Sequence, residues 1–165
     1  MKLRLTFSAL LIFSFTFSFG QIKLADLKID TTITGFHYAA DFQGTVIFTK
    51  NGSTDIQTIN PTAFSFTIAP NMSGADAKGQ LEMLLNMSKQ SGYKISNLVT
   101  KDTTINGNEA YYITYVETDN KNNYRNDVSN SFVIKDKTLI LFVSGDLDKG
   151  KYIDKFKKTF YGIKL

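Results

Sequence analysis

The sequence predicts an α+β domain: an antiparallel β-sheet with helices packed on both faces, an α/β/α sandwich. Three observations carry that expectation. Strand-like segments recur between Thr45 and Gly145 and are joined by tight-turn signals such as Asn106-Gly107. Two stretches, residues 74–91 and the closing stretch from Asp148, switch to a helical period. Finally, "EAYYITYVET" and "KTLILFVSG" are apolar at adjacent as well as alternate positions, so both sides of the sheet need cover.

The first twenty residues, "MKLRLTFSALLIFSFTFSFG", stand apart from the predicted domain. Lys2 and Arg4 precede an apolar run from Leu5 to Phe19, and Ser18 and Gly20 place small residues before Gln21. That layout reads as a secretory signal peptide, residues 1–20, and the run is too short to cross a bilayer as a helix. The expected mature chain is one domain, residues 21–165, exported to periplasm or medium and without stable membrane insertion. Cysteine is absent, which excludes disulfides, a thiol nucleophile and a lipidated cysteine. A domain of this length buries roughly 70% of its unfolded surface, so it needs no covalent staple.

Within the domain, "TVIFTKNG" reads as a strand ending in a turn. Pro61 and Pro70 bracket "TAFSFTIA", in which Phe64, Phe66 and Ile68 share one face. In residues 74–91, Ala77, Leu81, Leu84, Leu85 and Ser88 form one helical stripe, widened by Met83 and Met87, which read as core filling. Ser73 is placed as its N-cap and Gly92 as its stop. Three strands and two hairpins follow "YKISNLVTKDTTI", the last pair turning at Lys135-Asp136-Lys137. In the closing helix Tyr152, Ile153, Phe156 and Phe160 form the apolar stripe and Asp148 is the expected N-cap. Its lysines read as a solvated face that also suits the helix dipole. Tyr111 and Tyr115 of the meander read as packing rather than as a binding surface.

The order of elements from about residue 35 onward resembles the PsbP-like superfamily, which includes exported bacterial relatives of the PsbP and DcrB type. The residues that carry it are "GFHYAADFQG", the helix at 74–91, "INGNEAYYITYV", and the closing "FVIKDKTLILFVSGDLDKGKYIDKFKKTFYGIKL". The resemblance implies an antiparallel sheet with helices on both faces. The family's frequent Trp after the opening strand is missing here, with Phe42 the nearest substitute. The superfamily shares no catalytic motif, so the resemblance assigns no functional residue.

Chemistry in the sequence is sparse. His37 is the only histidine, and no G-x-S-x-G elbow accompanies it. "GDLDKGK" offers Asp146 and Asp148 at calcium-loop spacing, but Lys157 stands where the loop requires Glu. Glu117 and Asp119 read as a solvated turn rather than as an acid/base pair. No catalytic residue, cofactor-binding residue or metal ligand is assigned. Removing Lys2 and Arg4 lowers the net charge from +4 to +2, and the remaining cations read as interspersed with acids, so no nucleic acid is expected. The expected function is non-enzymatic contact with an envelope or secreted protein. Its candidate surface is the loop "DNKNNYRND", where Tyr124 and Arg125 are residue types enriched at interface hot spots. The alternative is a small-ligand carrier or cryptic hydrolase with a pocket between sheet and helix near Tyr111, Tyr115 and Met87.

Overall fold

The computed structural model describes residues 27–53 and 62–164. The proposed signal peptide and Pro61 lie outside the described residues. A 3₁₀ turn at Thr31–Ile33 precedes seven strands: β1 His37–Phe42, β2 Thr45–Thr49, β3 Ala63–Pro70, β4 Lys94–Ile105, β5 Asn108–Asp119, β6 Tyr124–Lys135 and β7 Thr138–Asp146. Two helices, α1 Gly74–Gln90 and α2 Ile153–Tyr161, complete the described fold. The strands form one sheet in the order β1-β2-β3-β7-β6-β5-β4, every pairing antiparallel.

The turns explain most of this order. Asn106 and Gly107 both take positive φ, as do Gln43 and Gly44. That is the backbone of a two-residue hairpin whose twist matches its strands. The exception is the step from β3 to β4, which lie four strand spacings apart, or about 19 Å. Helix α1 makes that step. Seventeen residues rise about 26 Å, enough to cross β7, β6 and β5. Its ends are defined locally: Ser73 Oγ accepts the Asp76 N–H at 3.1 Å, and Gly92 takes φ 87° after the last turn.

Alternate residues of the central strands belong to two apolar clusters. Phe132, Leu139 and Leu141 join Tyr111, Ile113 and Tyr115 against Ala77, Leu81 and Leu85 of α1. Val133, Ile140 and Phe142 join Phe64 and Phe66 against Phe156 and Phe160 of α2. Phe64 is the hub of the second cluster, its ring lying 4.9–6.0 Å from those of Phe36, Phe48, Phe66, Phe142 and Phe156. Tyr111 and Tyr115 of β5 are therefore packing, as their spacing predicts. Met83 corrects the sequence reading: it is half exposed and fills no core. The two edge strands differ from the interior. β4 is exposed along most of its length, and its ladder to β5 is interrupted by a bulge between Ser96 and Val99, where Asn97 takes φ 54°.

The closing turn departs from expectation in one respect. Asp148 does not cap α2; Tyr152 is the N-cap and has no side-chain cap bond. Asp148 pairs with Lys50 instead. The organising acid is Asp146, whose carboxylate accepts the N–H groups of Asp148 at 2.7 Å and Tyr152 at 2.6 Å. A carboxylate that gathers backbone donors ahead of a helix fixes the chain's entry into it.

Candidate functional site

The rim where β5 turns into β6 holds the two residues that the sequence singles out. The connection is short, Asn120 to Asn123, and it is organised by Asp119. Asp119 Oδ1 accepts the Lys121 N–H at 2.9 Å and Oδ2 accepts the Asn122 amide at 2.6 Å. These bonds, the Asn122 side chain foremost, hold the Asp119 carboxyl below its ordinary range. Tyr124 and Arg125 are not part of the turn. They are the first two residues of β6 and project to opposite faces of the sheet.

On one face, the Tyr124 ring packs at a tilt against Tyr93 with centroids 5.0 Å apart. Its hydroxyl donates to Glu117 Oε2 at 3.4 Å, and Asn126 Nδ2 donates to the same oxygen at 3.0 Å. Ser88 Oγ, from the last turn of α1, donates to Glu117 Oε1. Glu117 is only 1% exposed, which overturns its reading as half of a solvated turn. Cross-strand placement is the reason: Asn126 stands directly opposite Glu117, and α1 closes over both. Next to this group, burial and then the Glu117 charge hold the Tyr115 phenol far above its ordinary value. Gly145 makes room for the network, since a Cβ there would lie 2.9 Å from Asn126 Oδ1.

On the other face, Arg125 grips Asp127 with two bonds, Nε to Oδ2 at 2.7 Å and a terminal nitrogen to Oδ1 at 2.9 Å. Asp127 stands opposite Asp146 in the β6–β7 register. Burial pushes the Asp146 carboxyl up, against the pull of the Tyr152 N–H; the Asp127 charge raises it further. The acids of the "GDLDKGK" turn are thus committed to backbone donors and to Lys50, and among the described residues no cluster of three or more His, Cys, Asp or Glu could hold a metal ion.

Two open clefts lie at the start of α1. The larger, about 590 Å³, is lined by Pro70, Met72, Asp76, Gln80 and Met83 among others. The smaller, about 440 Å³, lies between Ser73, Glu109, Ile134 and Lys137. Neither is lined by Tyr111, Tyr115 or Met87, and both tyrosines are buried in the core. His37 is exposed at the start of the edge strand β1 and borders neither cleft. Sequence reasoning missed the roles of Glu117 and Asn126 because each is defined by a neighbour on another strand. Asp146, weighed only as a calcium-loop acid, is defined by backbone donors two and six residues on. The one available signal was a glutamate directly after the largely apolar run Tyr111–Val116.

No protein-family model matches the chain, and no curated protein matches it. Among solved structures it is similar to the solution structure of cyanobacterial PsbP (CyanoP) from Synechocystis sp. PCC 6803, at 16% identity and a TM-score of 0.52, covering 90% of this chain and 97% of that one. It is also similar to a protein of unknown function from Pseudomonas aeruginosa, PA94, described as a putative regulator, at 16% identity and a TM-score of 0.46, covering 77% and 86% of the two chains.

Proposed function

We propose that this chain, which has a PsbP-like fold, is an exported domain that acts without catalysis, by binding an envelope or secreted protein. In this reading the two helices cover opposite faces of the sheet and leave its ends for recognition. One observation carries it: Tyr124 and Arg125 are held ready at one rim, the first by the Tyr93 ring and the Glu117 bond, the second by its two-bond grip on Asp127. Side chains fixed before binding lose little conformational entropy on binding. Tyrosine and arginine are also the residue types that dominate interface energetics.

The test is affinity capture from envelope extract with the wild-type chain and with Tyr124→Ala/Arg125→Ala, the captured proteins being identified by mass spectrometry. A circular-dichroism melt confirms that the variant is folded. Loss of a specific captured protein is expected. Retention of every captured protein by a folded variant would refute the assignment.

A further inference from the structure

The positive charge of the chain is not spread evenly over the fold, contrary to the sequence reading. Residues 149–165 hold six lysines and one acid, whereas residues 21–148 hold eleven Lys or Arg against fourteen Asp or Glu. The excess therefore belongs to α2 and its flanks. Burial of Phe156, Thr159 and Phe160 turns the opposite side of that helix outward, and Lys149, Lys151, Lys155, Lys158 and Lys164 are exposed. A short bridge between Lys28 and Lys164 adds a further exposed lysine beside them. None of the ion pairs found among the described residues uses a lysine of this segment.

Helix stability does not account for this placement. Cations suit the last turn of a helix, which explains Lys158, but they are disfavoured at its start, where Lys149, Lys151 and Lys155 lie. Lys149 also takes φ 60°, a conformation that Gly or Asn adopts more cheaply. Three ammonium groups, those of Lys50, Lys151 and Lys155, gather 5.1–5.5 Å from the Tyr152 ring. One turn beyond Lys157 and Lys158, Tyr161 is 42% exposed.

We infer that the outward face of α2 is an electrostatic docking surface for an anionic lipid bilayer. All cations of the face are lysine, whose flexible, hydrated point charge suits a diffuse anionic plane better than bidentate recognition of a single group. They are spread along an exposed helix rather than converging on a pocket, so a plane of phosphate headgroups can meet them together. An exposed tyrosine beside them fits the headgroup zone. The attachment proposed is peripheral, made by exposed lysine side chains and Tyr161. The lysines of this surface are other residues than Tyr124 and Arg125, and the inference does not depend on the protein-binding reading.

The experiment is cosedimentation of the chain, purified as the cell processes it, with vesicles of phosphatidylcholine alone or in equal parts with phosphatidylglycerol. Lys151→Gln/Lys155→Gln/Lys158→Gln is compared with Lys89→Gln/Lys94→Gln/Lys101→Gln, which removes the same charge from exposed positions elsewhere, and unfolding curves verify that both are folded. Binding is expected only to phosphatidylglycerol vesicles and to vanish at high salt. It should fall about fivefold per lysine removed from α2, or about a hundredfold for three, while the control triple stays close to wild type. Equal loss in the two triples, indifference to phosphatidylglycerol, or no vesicle binding would overturn the inference. Capture of a protein through the same lysines without vesicle binding would do so as well.

Discussion

Glu117 and Asn126 face each other across β5 and β6, and the Asn126 amide donates to the buried carboxylate at 3.0 Å. With Ser88 and Tyr124 also donating, the group ties the last turn of α1 to the start of β6. A carboxylate removed from water is stabilised by such donors, and losing one leaves a buried polar atom without a partner.

Glu117→Gln places an amide where donors converge, so it trades an accepted bond for a clash of N–H groups. The expected cost is about 2 kcal/mol in urea unfolding. An unchanged midpoint would show that the network contributes nothing to stability.

Lys137 and Asp136 form the β6–β7 turn with φ 61° and 49°, a conformation that favours glycine. Lys137→Gly is expected to stabilise the fold by about 1 kcal/mol, read as a raised melting temperature. A lowered one would mean that the lysine side chain does more for the turn than the backbone costs.

Asp146 gives a pH dependence with a definite sign. Its native pKa is raised above the ordinary 3.8 by burial, so the folded state holds its proton more tightly than the unfolded state. Its contribution to stability therefore falls as pH rises from 3.8 through the raised native value. Unfolding free energies of wild type and Asp146→Asn measured from pH 3 to 8 should diverge, the difference moving in the variant's favour as pH rises. Parallel curves would rule out Asp146 as a titrating group in this window.

What could be read from the chain was local. Ser73, Gly92 and Asn106-Gly107 announce their helix end or turn through nearby backbone geometry, and each stands where its residue type places it. Glu117 could not be placed this way, because its burial depends on Asn126 and Ser88, nine and twenty-nine positions away. The capping role expected of Asp148 is lost to Lys50, nearly a hundred residues earlier, with which it pairs. The lysines of α2 were legible opposite its apolar stripe, and burial of Phe156 and Phe160 agrees, whereas their excess over the rest of the chain was not read.

The bulge in β4 has a consequence for how the chain meets its own copies at high concentration. An exposed twelve-residue ladder could recruit a second chain strand by strand and seed a fibril. The interruption between Ser96 and Val99 breaks the row of unpaired amides, and Lys94 and Lys101 add charge that repels a matching copy. The sheet can therefore end in solvent without becoming a template for its own polymerisation.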